Sequence, residues 1–376
     1  MNLSYWELKE FFNKADLCVI GSGIVGLNAA INYKQQFPKH RVVVLERGIL
    51  PAGASTKNAG FACFGSVSEL LSDIKSSNEK MVWDTVELRY KGLARLREIL
   101  GDKQIDYKNW GGFEVFDSKI GFEKCMEVIP YFNLQVKSIT KNQFTYKNNK
   151  NTIKKSGLAG VKYCIENCEE GQIDTGKMMR NLLALAYSKD ISVLNGLDVN
   201  KIIDRGDECT LILNGGVELK SKNVIVATNG FARKLLRHKD VKPARAQVLV
   251  TKEIEGLKLR GAFHYDQGFY YFRNVGKRVL FGGGRNLDLK GEETMEFGLT
   301  DQIQNKLEEM LRTMILPEHK FKIEHRWSGI MGVGKEKKPI VEHVSPNVVC
   351  AVRMGGMGVA IGSLVGEMAV EELLKP

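Results

Sequence analysis

Asp16-Leu17-Cys18-Val19-Ile20-Gly21-Ser22-Gly23-Ile24-Val25-Gly26 begins as a short apolar run, breaks at glycine, and continues with Leu27, Ala30 and Ile31 at helical spacing. The pattern predicts a strand, a tight turn and a helix. Arg41-Val42-Val43-Val44-Leu45 reads as a second buried strand ending in Glu46, so residues 16–46 form one βαβ unit with parallel strands. The turn spells G-x-G-x-x-G between strand and helix, and an acidic residue, Glu46, follows 20 residues after Gly26. Gly21 permits the turn, Gly23 lets a diphosphate approach the backbone, and Gly26 lets helix and strand pack closely. The first helical N–H groups, at Ile24 and Val25, favour negative charge. Glu46 is placed to accept hydrogen bonds from a ribose. The unit is expected to bind a dinucleotide.

Working outward, Ser68–Lys75 and Glu79–Leu100 read as helices, the second with Val82, Val86, Leu93, Leu96 and Leu100 on one face and Gly101 as its stop. Trp110–Phe116 alternates as a strand. A helix over Lys177–Ser188 is capped by Asp174 or Thr175. Strands follow at Ser192–Leu194, Val199–Ile203, Thr210–Leu213 and Val224–Thr228. Further strands are expected at Gln247–Thr251, Gly268–Phe272 and Arg278–Phe281, then a helix over Asp301–Met314, a strand at Val348–Val352 and a last helix to Leu374. There is no internal repeat and no low-complexity linker.

Composition sets the frame for this organisation. The 376 residues suffice for two or three cores, and 38 glycines, about a tenth, exceed the usual share of roughly 7%. The formal charge of +11 admits a polyanionic partner, but much of the excess lies in the Lys/Asn-rich stretch 137–155, expected to be a solvated loop or strand pair. Seven cysteines with no paired spacing beyond Cys164 and Cys168 make neither a disulfide framework nor a metal set, which points to a reducing, cytoplasmic setting and no metal. The longest uncharged stretch, Leu17–Tyr33, carries Gly21, Gly23, Gly26, Ser22, Asn28 and Asn32, which argues against a membrane span, and the start of the chain shows no secretory pattern.

NAD and FAD both use the first fingerprint, and two further features favour FAD. Gly53-Ala54-Ser55-Thr56-Lys57-Asn58-Ala59-Gly60-Phe61 is a small-residue loop able to pass close under a flat ring. Met354-Gly355-Gly356-Met357-Gly358-Val359 is a second glycine turn opening a helix, whose N-terminus suits the negative charge of a reduced flavin. An NAD domain needs no such return by the C-terminus.

These segments, in order with Leu45-Glu46-Arg47-Gly48, Val226-Ala227-Thr228-Asn229-Gly230, Pro243-Ala244-Arg245-Ala246-Gln247 and Trp327-Ser328-Gly329, resemble the FAD-dependent D-amino acid oxidase superfamily over nearly the whole chain. That group includes glycine oxidase, sarcosine oxidase and γ-glutamylputrescine oxidoreductase. Ser4-Tyr5-Trp6-Glu7 looks most like the last of these. The resemblance implies an α/β fold: a FAD-binding Rossmann-like domain of the glutathione-reductase type (1–67, 151–240 and 320–376) with an inserted α+β substrate domain on a mixed antiparallel sheet (68–150 and 241–319). It also implies flavin contacts at Arg47, Ala54, Ser55, Asn58, Ala59, Gly60, Phe61, Val199, Ala227, Thr228, Gly230, Gly329, Gly355, Gly356, Met357 and Gly358. The implied reaction is oxidation of a C–N bond of a small amine or amino acid derivative, with oxygen or another electron acceptor, followed by hydrolysis of the imine.

Departures from the family pattern narrow the substrate. Met331 stands where the α-amino acid oxidases usually carry a carboxylate-binding arginine. Residues 332–339 contain no cysteine and 53–61 no histidine, so FAD is expected to bind non-covalently. In Phe269-Tyr270-Tyr271-Phe272-Arg273, alternation puts Tyr271 and Arg273 on one face. Arg273 is the expected carboxylate clamp and Tyr271 its orienter, against the alternative of a surface arginine beside a core aromatic. His264 and Tyr265 are further catalytic candidates. Two other readings keep the flavin: an oxidase acting on a glycine-like modification of tRNA wobble uridine, and a flavin or electron-transfer protein with no amine turnover.

Overall fold

The computed structural model describes residues 2–236 and 239–375. Among these, the first half runs α1 (Tyr5–Phe11), β1 (Ala15–Ile20), α2 (Ile24–Gln36), β2 (Val42–Glu46), β3 (Phe61–Ala62), α3 (Val67–Ser76), α4 (Glu79–Leu100), β4 (Gly112–Phe116), α5 (Lys119–Thr140), β5 (Tyr146–Asn148), α6 (Thr152–Ser156), β6 (Tyr163–Asn167), β7 (Gly171–Gln172) and α7 (Thr175–Ser188). It continues with β8 (Ser192–Asn195), β9 (Val199–Asp204), β10 (Cys209–Leu213), β11 (Glu218–Val226), β12 (Lys242–Thr251), β13 (Ala262–Tyr265), β14 (Tyr270–Val275) and β15 (Arg278–Gly283). It ends with α8 (Asp301–Met310), β16 (Ile323–Val333), β17 (Ile340–Ser345), β18 (Val348–Val352) and α9 (Gly358–Leu373).

Two large sheets organise these elements. The first has the order β17-β18-β11-β1-β2-β8, with β10 and β9 added beside β11. Its centre is parallel, β18 and β2 flanking the β11–β1 pair, and Leu17, Val19, Val42 and Val44 pack beneath α2 and α9. Gly366 joins the two helices backbone to backbone: a Cβ there would lie 2.7 Å from Val25 O and 2.8 Å from Ala29 N. The start of the fingerprint helix therefore packs against the C-terminal helix one to two turns after that helix begins. The second sheet, β16-β12-β15-β14-β13-β4-β6-β5, is antiparallel except for the parallel β13–β4 pair. Its outer face buries Phe263, Phe272 and Phe281 under α8, and α3, α4 and α5 enclose a separate core around Phe64, Phe132 and Tyr146. This is the expected α/β architecture with a mixed second sheet.

Strand membership departs from the expected boundaries at two places. β6, expected with the first unit, lies in the second sheet because it pairs with both β4 and β5. β16, expected with the closing segment of the first unit, forms the edge of the second sheet along the length of β12. The basic stretch 137–155 also differs from the solvated loop or strand pair expected. It contains the end of α5, the short β5 and α6, and Tyr146 is 1% exposed with its hydroxyl donating to Gly65 O. All seven cysteines are free, and no helix of the described residues is long and apolar enough to cross a membrane.

Candidate functional site

A cavity of about 570 Å³ runs between the two sheets, lined from Ile20 near the start of the chain to Val359 near its end. That volume falls within the range of small-molecule and cofactor sites. The first glycine turn shapes one wall. Gly21 has φ +106°, and a Cβ on it would press on Ala227 O at 2.9 Å; one on Gly23 would lie 2.7 Å from Ser55 Oγ. Gly23, the N-cap of α2, supplies no side-chain cap, and neither does Met357 at α9, while the first turns of both helices carry no acidic residue. Two helix starts thus face one cavity, the first N–H of α2 taken by Ser55 Oγ, and their dipoles make the arrangement that receives an anionic group. Glu46 also lines the cavity. Its carboxylate accepts from Ser22 N, Ser22 Oγ at 2.7 Å and Gly48 N at 2.9 Å, which braces the turn.

The loop 53–61 forms a second wall and is tied down along its length. Ser55 Oγ accepts from Ile24 N at 2.9 Å. Asn58 accepts from Gly60 N and from Thr175 Oγ1, each at 2.8 Å. Trp327 Nε1 donates to Lys57 O at 2.9 Å.

The inner face of the second sheet closes the cavity. Register places Glu114, His264, Tyr271, Gly282, Val248 and Trp327 in one row across five strand pairings, all on the same face. His264, Tyr271 and Val248 of that row line the cavity. The Tyr271 ring lies over Gly282, where a Cβ would come within 2.6 Å of it. Burial pushes the Tyr271 phenol up to about 12 and the His264 imidazole down to about 4, so both are neutral at pH 7.

Of the other expected flavin contacts, Gly21, Gly23, Ile24, Val25, Arg47, Ala54, Ser55, Asn58, Ala59, Gly60, Phe61, Val199, Ala227, Thr228, Gly329, Gly355, Gly356, Met357 and Gly358 line the cavity, and Gly26 and Gly230 do not. A Cβ on Gly26 would collide with Gly21 O, and one on Gly230 would sit 2.6 Å from Met331 O, so both glycines serve close packing behind the wall.

Two catalytic candidates also fall outside. Tyr265 points to the opposite face, where its hydroxyl donates to Asp117 at 3.0 Å. Arg273 shares the face of Tyr271 as alternation requires, but it is neither a clamp nor a surface residue. It is 5% exposed, and its guanidinium donates to Ala59 O, to Ile173 O at 3.0 Å and to Asn274 O at 3.3 Å. Its bonds are spent on backbone carbonyls, one of them in the 53–61 loop, and burial lowers its pKa to about 10.

Several lining residues carried no local signal in the sequence. Lys337, between β16 and β17, pairs with Glu69 at 2.7 Å and Asp73 at 2.9 Å, both on α3. Burial opposes the charge on Glu69, but Lys337 and Arg89 outweigh it and hold the carboxyl at about 2. Arg47 stacks on Phe231, Lys57 on Phe297, and Lys234 pairs with Asp198. Arg285 also lines the cavity, and among the described residues its side chain has no such partner.

Comparison with known proteins agrees with this architecture. Residues 16–372 match the model of a family described as FAD dependent oxidoreductase. The chain is 22% identical over 375 residues to a probable oxidoreductase, OrdL, of Rhizobium meliloti (strain 1021), covering 95% of this chain and 82% of the relative. Among solved structures it resembles glycine oxidase from Bacillus cereus ATCC 14579, with a TM-score of 0.76, 15% identity, and 96% and 97% of the two chains covered. It is also similar to iminodiacetate oxidase from Chelativorans sp. BNC1, with a TM-score of 0.75, 16% identity, and 96% of each chain covered. At these identities the structural likeness speaks for the fold.

Proposed function

The chain belongs to the FAD dependent oxidoreductase family, and on that footing we propose that it oxidises the C–N bond of a small amine or amino acid derivative to an imine, which water hydrolyses. The observation that carries this reading is a cavity whose lining joins two helix starts to a sheet face bearing His264 and Tyr271 and to Arg285 in the turn after β15. FAD supplies the hydride acceptor when bound. The glycine turns fit that group: Gly21 and Gly23 leave room that a side chain would fill, and the starts of α2 and α9 favour its negative charges. Glu46, Arg47 and Val199 are assigned to the nucleoside end and the 54–61 loop to the ring.

The remaining work falls to the chain. A substrate that arrives as an ammonium ion must lose a proton before its C–H bond becomes a hydride donor. That proton leaves to water, and His264, kept neutral by burial, accepts a hydrogen bond from the amine and holds it in its uncharged form. Tyr271 closes the wall beside it and donates a hydrogen bond to the substrate. Arg285 replaces Arg273 as the partner of a substrate carboxylate, because guanidinium binds carboxylate through two parallel hydrogen bonds. No covalent flavin link is expected, since no cysteine is among the cavity-lining residues described.

The test is anaerobic mixing of the flavin-loaded protein with N-substituted glycines, γ-glutamyl-polyamines and D-amino acids while the flavin absorbance is followed. Bleaching by one class names the donor. A protein that takes up FAD yet is bleached by no amine would overturn the reading.

A further inference from the structure

His264 has two neighbours for which amine oxidation has no use. β3 and β7 pair through Ala62 and Gly171, which brings the following Cys63 and the preceding Glu170 together beneath β13. One ligand-type atom from each of Cys63, Glu170 and His264 lies within 4.8 Å of the other two. Cys63 and Glu170 are 2% and 1% exposed, and His264 Nε2 is buried with no hydrogen-bond partner. The Glu170 carboxylate is already aimed: one oxygen accepts from Phe64 N at 2.8 Å and Gly65 N at 3.0 Å. Its other oxygen lies against Gly112, where a Cβ would collide with it. Nearby Arg89 donates to Phe64 O.

We propose that Cys63, Glu170 and His264 form a binding site for a thiophilic divalent cation, with zinc the ion they suit best. Three arguments support the assignment. The donor set is one sulfur, one nitrogen and one oxygen, the ligands that zinc takes, and thiolate plus carboxylate neutralise its two charges. Bonds of about 2.0–2.3 Å in a tetrahedral site put ligand atoms roughly 3.3–3.8 Å apart, so the side chains need to close by only about 1 Å. The backbone amides on Glu170 hold a ligand oxygen in place, as the outer partners of metal-binding carboxylates do.

Binding is a ligand exchange without oxidation: the Cys63 thiol loses its proton to solvent as the sulfur–zinc bond forms, and water leaves the ion. Three protein ligands leave a fourth position open. Because His264 also lines the cavity, an occupied site withdraws the imidazole from substrate. That consequence rests on the function proposed above, whereas the binding does not.

The experiment starts from flavin-loaded protein stripped with a chelator, then titrated with zinc against a chromophoric competitor, with X-ray absorption recorded on the zinc-loaded sample. The expected result is one zinc per chain with one sulfur among its neighbours, and affinity lowered roughly 100-fold in Cys63→Ser. A sulfur-free shell in the unsubstituted protein overturns the proposal even if Cys63→Ser fails to fold, and so does equal retention of zinc by Cys63→Ser and Glu170→Gln. Zinc bound through sulfur with no slowing of amine-dependent bleaching upholds the site and removes His264 from the proposed contact with the amine.

Discussion

Tyr271 and Arg273 stand two residues apart on β14 and face the same way, yet only Tyr271 meets the cavity. The difference is what lies above each: Tyr271 sits over Gly282, while Arg273 runs under the Ala59–Gly60 segment and is consumed by carbonyls. A clamp needs an arginine with free donors, and since Arg47 stacks on Phe231 next to Glu46, at the end of the cavity assigned to the nucleoside, the substrate is left Arg285. Arg285→Ala is therefore expected to raise the dissociation constant of a carboxylated donor by about 30-fold, the equivalent of about 2 kcal/mol for a charge-assisted hydrogen bond. Binding of the corresponding amide should change little. Stopped-flow bleaching over a range of donor concentrations measures both.

Glu114 carries a second residue-scale prediction. Burial raises its carboxyl to about 7, despite hydrogen bonds from Ser68. The unfolded chain ionises it near 4.5. Between those values the folded state holds a proton that the unfolded state has lost, so stability falls as pH rises, by on the order of 3 kcal/mol, and the full cost is present above pH 7. Glu114→Gln should reduce the fall in stability over that window, leaving the share of Glu170, which burial also raises to about 7, and bring the urea midpoint at pH 8 to or above that of the unsubstituted protein.

At the scale of elements, α2 and α9 depend on glycine at their contact. Gly366→Val places a branched side chain against Val25 O and Ala29 N, which are backbone atoms and cannot rotate away. A loss of about 3 kcal/mol or more is expected in urea unfolding, with weaker FAD retention because the two helix starts no longer share one wall.

Several individual elements were legible from local pattern: β1, α2 and β2 from periodicity and glycine spacing, and α7 from Asp174, which accepts from Lys177 N at 2.8 Å. α5 was not. Its Pro130 and the basic tail that follows obscure a helix whose inner face, Phe122, Cys125, Ile129, Phe132 and Val136, buries against the α3–α4 core. The membership of β6 and β16 was hidden for a different reason, since a strand's partner is chosen by long-range packing and not by its own residues. The Lys337–Glu69 pair joins residues 268 apart and leaves no trace in either local sequence.

For the whole molecule, the cavity is the common boundary of both sheets and both chain ends, so its occupant is part of what holds them together. A ligand that binds only the folded protein stabilises it by RT ln(1 + [L]/Kd), about 2.7 kcal/mol at a hundredfold excess over Kd. The protein stripped of FAD should accordingly unfold at lower temperature, and its midpoint should climb steadily as FAD is added back. Gly23→Val separates this linkage from a general effect on the fold. Gly23 has an ordinary extended backbone, so valine is allowed there, but its Cβ meets Ser55 Oγ at 2.7 Å and its methyls fill the approach to the α2 start. The stripped variant should melt within a few degrees of the stripped unsubstituted protein and respond little to added FAD. A variant whose midpoint rises with FAD as steeply as the unsubstituted protein's would show that the first glycine turn does not hold the diphosphate.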